Sequence, residues 1–259
     1  MAASTIRFLG TSACVPDAGD DTACFLLDGK ILVDTGWQSP AALHNAGIDP
    51  ASIPYLVITH WHHDHCLSLP QILFSHLCAY GSMHRLTLIA PQNEAADMLR
   101  RAMEYLQTAR FYPSSRPPRL AALSPGESFI EEGFALHTVA SLHAMPGLCW
   151  RYAPQGGPHI GFTGDTAYQP ELAAFYAQVD VLIHECSLGP VRADPIENAR
   201  YLHSGAIDAG RVAREAGAKR LVLVHGSTVQ RDACIAAASK VYSGPVLWPR
   251  PGEIIKISK

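Results

Sequence analysis

The chain has 259 residues, of which 48% are hydrophobic and 17% charged, as expected of a globular protein with a substantial core. Its net charge of −3 argues against the broad basic field with which proteins bind long polyanions, but not against a small anionic substrate. The seven cysteines form no Cys-x-x-Cys pair, and the sequence shows neither a secretory signal nor a run long enough to cross a bilayer. These features predict a soluble, cytoplasmic protein without a membrane partner.

The first half of the chain is predicted to contain strands, tight turns and two helices. Apolar runs at residues 5–9, 23–27 and 31–34 predict strands, and Asp28-Gly29 between the last two predicts a type I′ hairpin turn. The run YLVIT at residues 55–59 predicts a buried strand, and residues 86–90 predict another. Helices are predicted over 67–80 and 93–109, the second with Asn93 as its N-cap. The Pro-rich stretch 111–119 predicts a loop.

The second half alternates between strands and helices. Strands are predicted over 128–130, 134–139, 148–152 and 159–162, then over 181–185, 221–225 and near 253–257. Helices are predicted over 170–177, 204–216 and 230–242, with Ser204 as an N-cap. Two halves that each begin with antiparallel strands predict an α/β fold of two packed sheets with helices outside. No composition break resembles a linker, so we expect one domain over residues 1–259.

A histidine cluster, Thr59-His60-Trp61-His62-His63-Asp64-His65, directly follows the YLVIT strand. Alternate residues of an extended segment point the same way, so His60 and His62 can converge on one metal ion while Asp64 and His65 face a second. Imidazole and carboxylate ligands suit zinc, manganese or iron better than magnesium or calcium. A surface histidine patch would not be expected at the end of a buried strand. The cluster therefore predicts a two-metal site and a metal-dependent hydrolase.

The HWHHDH segment resembles the HxHxDH signature of the metallo-β-lactamase superfamily, whose fold is an αββα sandwich with a dinuclear site between its sheets. His143 in ASLHAMPG, Asp165 in GFTGDTAY and His225 in LVLVHGS match its remaining ligands. The resemblance implies that His60, His62 and His143 hold one ion, that Asp64, His65 and His225 hold the other, and that Asp165 bridges them. We expect Zn²⁺, with Mn²⁺ or iron as alternatives.

Asp34 in ILVDTG matches an aspartate that orients a ligand imidazole. A turn-forming role after its strand is the alternative.

Three further segments resemble the ribonuclease Z branch of this superfamily: LGTSACVP near the N-terminus, CLSLP after the cluster, and VLIHECSL followed by YLHSGAIDAGRVAREAGAKRLVLVHGS. This resemblance implies that His203 is a catalytic histidine outside the metal ligands and that Glu185 orients it. Asp64 completes the expected catalytic set. A histidine held by a carboxylate can protonate a leaving alkoxide, which two metal ions alone do not do. The alternative for His203 is a cap contact at the start of a helix.

The same branch suggests a substrate that this chain does not fit. Its tRNA-processing members carry a tRNA-clamping arm between the third metal histidine and the bridging aspartate, whereas His143 and Asp165 lie only 22 positions apart. The segment HSG also replaces the usual HST, so we do not expect tRNA as a partner.

The expected function is a dinuclear phosphodiesterase that uses a metal-bound hydroxide on a small-molecule or short anionic substrate. The alternatives are a thioesterase or lactonase on the same site, or a non-catalytic metal-binding protein. The branch is commonly homodimeric.

Overall fold

A computed structural model describes residues 3–258 as two seven-stranded sheets with helices on their outer faces. The first sheet has the spatial order β14 (Ile254–Ser258), β1 (Ala3–Gly10), β2 (Cys24–Leu27), β3 (Ile31–Val33), β4 (Tyr55–Val57), β5 (Thr87–Pro91), β6 (Arg119–Leu123). The second has the order β13 (Val246–Leu247), β12 (Leu221–Val224), β11 (Val181–Glu185), β10 (Ile160–Phe162), β9 (Leu148–Pro154), β8 (Phe134–Ala140), β7 (Ser128–Glu131). In both sheets, antiparallel pairs occupy one half and parallel pairs the other.

Eight α-helices complete the described chain. They are α1 (Ser39–Asn45), α2 (His63–Cys66), α3 (Leu69–Tyr80), α4 (Ala95–Tyr105), α5 (Thr108–Phe111), α6 (Glu171–Phe175), α7 (Ala206–Ala216) and α8 (Arg231–Ser239). Short 3-10 turns cover Pro50–Ser52, Glu197–Arg200 and Thr228–Gln230. None of the helices within residues 3–258 combines the length and the hydropathy that crossing a bilayer requires.

The largest apolar cluster lies between the two sheets, and a further cluster lies between each sheet and its helices. Strands in the middle of the sheets are therefore apolar on both faces. Phe25 of β2 contacts Phe162 of β10 edge to face across the two sheets, with ring centroids 5.6 Å apart, and Trp150 of β9 stacks on Phe162. The outward residues of the first sheet pack under α1, α3 and α4, and those of the second under α6, α7 and α8. This αββα arrangement confirms the predicted fold class.

Local turn chemistry agrees with the sequence at one turn and differs at two helix starts. Asp28 and Gly29 both have positive φ (49° and 67°), as the predicted hairpin turn requires. Asn93 is not an N-cap: Glu94 adopts a left-handed conformation before α4. Gly205 rather than Ser204 caps α7, because the Asp208 carboxylate accepts a hydrogen bond from the Gly205 amide.

The predicted helix over 93–109 ends earlier, and two strands were missed. Gln107 has a φ of 50°, which interrupts the helix and separates α4 from the short α5. The strands β6 and β13 were not predicted. Each is the outer parallel strand of its sheet and exists by pairing with β5 or β12, which no local pattern reveals.

Backbone contacts at one edge join the two sheets. The His60 backbone forms an antiparallel bridge with Gly147, the residue before β9. On the other side, the His225 amide donates to the Thr11 carbonyl at 2.7 Å. The strands β3, β4, β8, β10, β11 and β12 all end at this edge, since parallel strands present their carboxyl ends together. Loops from both sheets therefore meet at one place.

Candidate metal centre

Three histidines and one aspartate converge in a first group. The Nδ1 atom of His62 lies 3.0 Å from Nε2 of His60 and 3.0 Å from Nε2 of His143. The Oδ2 atom of Asp165 lies 3.7 Å from Nε2 of His60 and 3.9 Å from Nε2 of His143. These residues come from the loops after β4, β8 and β10, so both sheets contribute to the group.

A second group shares Asp165 with the first. Oδ2 of Asp64 lies 3.1 Å from Nε2 of His225 and 3.3 Å from Nε2 of His65, and these two nitrogens are 3.3 Å apart. The other oxygen of Asp165, Oδ1, lies 3.5 Å from His65 Nε2. The short helix α2 places Asp64 and His65 here, since it turns the chain immediately after His62. Asp165 thus has one oxygen in each group.

Both groups have the composition and spacing of metal sites. Nitrogen atoms bound to one tetrahedral ion at about 2.0–2.1 Å lie about 3.4 Å apart, close to the separations seen here. Asp165 Oδ1 is buried and accepts no hydrogen bond from any described residue, although a buried charged oxygen is costly without a partner. The four ligand atoms in each group all lie within 4.8 Å of one another. The residues of each group therefore fit a divalent cation, and Asp165 directs one oxygen into each group.

Asp34 fixes the orientation of His65. Its Oδ2 accepts a hydrogen bond from His65 Nδ1 at 2.7 Å, which leaves Nε2 directed at the second group. The Thr59 amide and hydroxyl donate to the two Asp34 oxygens at 2.8 and 2.9 Å. Asp34 itself has a φ of 55°, a left-handed conformation that aspartate tolerates better than most residues. The two interpretations of this residue are therefore compatible, because it turns the chain and also contacts the imidazole of a predicted ligand.

Replacing Asp34 with asparagine is expected to weaken metal binding by about 10- to 100-fold, because the anion that orients the His65 imidazole is lost. Asparagine accepts the left-handed backbone, so the turn is retained. Competition with a chromophoric chelator measures the affinity. Asp28→Asn is the matched control, since Asp28 also has a positive φ but lies in the β2–β3 turn. Equal affinities for the wild type and Asp34→Asn would contradict this role.

Glu185 and His203 form a pair beside the first group. Nδ1 of His203 lies 2.9 Å from Glu185 Oε1 and 3.8 Å from Asp165 Oδ2. Burial opposes protonation of His203, but the adjacent Glu185 carboxylate outweighs it and raises the pKa of His203 to about 9. Glu185 also accepts hydrogen bonds from the amides of Thr166 and Ser187, at 2.9 and 3.0 Å. A carboxylate with this many donors stays ionised, so His203 donates from Nδ1 to Glu185 and directs Nε2 away from it.

Two serines contribute contacts at the site that the sequence did not predict: Ser187 was not singled out, and Ser204 only as an N-cap. The Ser187 hydroxyl lies 2.7 Å from Glu185 Oε2 and 2.8 Å from Nδ1 of His225, so it connects the His203–Glu185 pair to a predicted ligand. The Ser204 hydroxyl donates to the Thr166 carbonyl at 2.7 Å, which joins the segment after Asp165 to the segment of His203. The signal available for Ser187 was its position two residues after Glu185 in the segment HECSL.

The structure brings every sequence-predicted site residue to this edge. The side chains of His60, Asp64, His65, His143, Asp165, Glu185 and His225 are buried, whereas those of His62 and His203 are partly exposed and form the open side. His203 is not a cap residue, because its imidazole turns to Glu185 instead. The ligand assignment itself, and the roles of His203 and Glu185, stay predictions.

Comparisons with known proteins agree with the fold. A family model described as Anti-Pycsar protein Apyc1 matches residues 4–196, which include Asp165 and Glu185 but not His203 or His225. A solved structure of the metallo-β-lactamase fold protein YhfI from Bacillus subtilis has a TM-score of 0.81 and 22% identity, and the match covers 98% of this chain and all of that one. The short form of human tRNase Z, ELAC1, has a TM-score of 0.76 and 22% identity over 98% of this chain and all of that one. The predicted metallo-β-lactamase sandwich is thereby confirmed.

Curated relatives carry the name ribonuclease BN. The enzyme from Cronobacter sakazakii is 27% identical, over 86% of this chain and 89% of its own length. That alignment spans 274 positions, more than the 259 residues of this chain, so the relative contains residues for which this chain has no counterpart. The likeness to the ribonuclease Z branch is confirmed, and so is a difference in length.

Proposed function

This chain belongs to the anti-Pycsar protein Apyc1 family, and we propose that it is a dinuclear phosphodiesterase that hydrolyses a small or short anionic substrate. The ribonuclease names of the curated relatives agree with the metal-dependent hydrolase predicted from the sequence. The observation that carries the proposal is the His203–Glu185 pair, which lies 3.8 Å from the carboxylate shared by the two ligand groups. Such a pair serves a reaction whose leaving group needs a proton.

The chain's own residues supply the positioning and the proton. Two divalent cations, when bound, would provide Lewis-acid activation of water and of the phosphate oxygens. His60, His62, His143, Asp64, His65 and His225 would hold them, with Asp165 between. As an imidazolium, His203 keeps its Nδ1 proton on Glu185 and presents its Nε2 proton on the open side of the site, where it can pass to the departing oxygen and leave a neutral imidazole. Ionised Glu185 stabilises the imidazolium before the transfer.

We infer a small substrate from the shortness of the chain segment between His143 and Asp165. This segment consists of β9, β10 and a tight turn at residues 155–159, so no arm projects beside the site. The net charge of −3 offers no broad attraction to a long polyanion. We therefore propose a substrate held mainly near the metal centre. The choice of zinc over manganese or iron, a homodimer and a cytoplasmic location stay predictions.

A substrate panel tests the proposal. Protein loaded with Zn²⁺ or Mn²⁺ is assayed against bis(p-nitrophenyl) phosphate, a dinucleotide, a tRNA precursor, an acyl-CoA and an acyl-homoserine lactone. We expect turnover of the first two and little or none of the tRNA precursor. Turnover of the thioester or the lactone alone would replace the proposal with carboxyl-ester hydrolysis on the same site. Less than one metal ion per chain together with no turnover would indicate a non-catalytic protein.

A further inference from the structure

The segment between β11 and α7 holds the backbone of His203 through a single side chain. Asn198, in the 3-10 turn Glu197–Arg200, is only 7% exposed. Its Oδ1 accepts a hydrogen bond from the His203 amide at 3.0 Å, and its Nδ2 donates to the His203 carbonyl at 2.6 Å. One side-chain amide thus satisfies both backbone polar groups of the residue that carries the proposed proton donor. An amide side chain carries an acceptor and a donor on the same carbon, which matches the two backbone groups of one residue.

The turn that presents Asn198 is itself fixed at both ends. The amides of Ile196 and Glu197 donate to Oδ1 of Asp194, at 2.8 and 3.1 Å, and the Asn198 amide donates to the Asp194 carbonyl at 2.9 Å. The Leu202 amide donates to the Asn198 carbonyl at 2.9 Å. These contacts form a closed loop of hydrogen bonds around residues 194–203. These backbone hydrogen bonds therefore fix the position of the Asn198 side chain.

Leu202, next to His203, has a conformation that needs outside support. Its φ of 58° is left-handed, which is uncommon for leucine and persists only where the surroundings impose it. This turn directs the His203 imidazole towards Glu185, 2.9 Å away, and towards Asp165. Because Asn198 holds the backbone on the far side of the strained residue, loss of its two hydrogen bonds would release the turn.

We propose that Asn198 is a positioning residue that keeps the His203 imidazole on Glu185 and within reach of the leaving group. The inference rests on the proposed function, in which His203 protonates the departing oxygen. Asn198 contacts neither the predicted metal ligands nor the open side of the site through its amide, so it acts through His203.

Leaving-group dependence tests this role. Asn198→Ala is expected to slow hydrolysis of a dinucleotide, whose alkoxide leaving group needs a proton, by about 10- to 100-fold, as misplacement of a catalytic group does. Hydrolysis of bis(p-nitrophenyl) phosphate should change far less, since p-nitrophenolate leaves without protonation. In a His203→Ala background, adding Asn198→Ala should have no further effect on the dinucleotide, because residues that act as one unit are not additive. Equal losses on both substrates, or additive losses, would overturn the proposal.

Two measurements separate positioning from folding and from metal loss. Asn198→Asp keeps the oxygen acceptor but sets a charged oxygen against the His203 carbonyl, so it should slow dinucleotide turnover at least as much as Asn198→Ala. The exposed neighbour Glu197→Ala is the matched control and should behave as the wild type. Elemental analysis should find the same metal content in all four proteins. A loss of metal in Asn198→Ala alone would show that the segment supports the ligands, for example through the Leu202 carbonyl 3.3 Å from His143 Nδ1, and would overturn the proposal.

A spectroscopic comparison does not depend on any substrate. With ¹⁵N-labelled histidine, the proton on His203 Nδ1 should give a protected signal in the wild type and in Glu197→Ala, because it is bonded to Glu185. That signal should broaden or vanish in Asn198→Ala, and its persistence unchanged would overturn the proposal. If the wild type hydrolysed neither phosphodiester while this pattern held, the proposed function would fail and the positioning role would stand.

Discussion

Replacing Asp165 with asparagine is expected to lower phosphodiester turnover by at least about 10³-fold, since bridged metal ions contribute several kcal/mol of transition-state stabilisation. Each oxygen of Asp165 faces a different ligand group, with His60 Nε2 3.7 Å from Oδ2 and His65 Nε2 3.5 Å from Oδ1. Asparagine has the same shape but carries no charge and only one strong acceptor. We expect fewer than two metal ions per chain in this variant, measured by elemental analysis after dialysis.

Asp180→Asn is the matched control for this experiment. Asp180 lies just before β11, at the opposite end of the strand from Glu185, and accepts hydrogen bonds from the His159 amide and from Lys219. Its substitution should leave metal content and turnover unchanged, even if it lowers stability. Two tightly bound ions and undiminished turnover in Asp165→Asn would show that the two groups do not share a bridging ligand.

The sequence predicts the parts of the centre that are local or follow a strand. Residues 60–65 lie in one short segment of the chain, so their spacing alone indicates a metal site. His143, Asp165 and His225 are far apart in sequence, and only the resemblance to a known family connects them. The structure then explains the connection, because β8, β10 and β12 all end at the edge where the sheets are joined. Strand ends are predictable here, since buried apolar runs stop where polar residues begin.

The residues that support the ligands are harder to predict because their contacts depend on register and on strained backbone. Ser187 reaches His225 because Glu185 of β11 pairs with Val224 of β12, which no pattern in either strand specifies. Asn198 reaches His203 through a turn that contains a left-handed leucine, a conformation that leucine rarely adopts. The edge strands β6 and β13 were not predicted for a similar reason, because they depend on pairing between strands. Pairing partners, and not local sequence, define them.

Replacing His203 with alanine is expected to slow hydrolysis of a dinucleotide by about 10²-fold or more, the usual contribution of a general acid. Hydrolysis of bis(p-nitrophenyl) phosphate should fall much less, because its leaving group needs no proton. Bound metal should stay unchanged, since Nδ1 of His203 is bonded to Glu185 and the residue belongs to neither group that shares Asp165, although it forms a third cluster with Glu185 and His225. His44→Ala, an exposed histidine on α1, is the control and should match the wild type. Loss of metal from His203→Ala would instead make His203 a ligand.

The pH dependence of dinucleotide turnover is an independent test of His203 as the proton donor. Burial disfavours the imidazolium, but the Glu185 carboxylate raises the pKa of His203 to about 9, so the proton donor is present below that pH and is lost as the pH rises through it. The charge of two nearby cations opposes this shift and moves the loss to lower pH. Dinucleotide turnover by the wild type should therefore decline on the alkaline side, and this decline should be absent in His203→Ala. An alkaline decline that survives the substitution would assign the proton donor to another group, because alanine has no proton to lose.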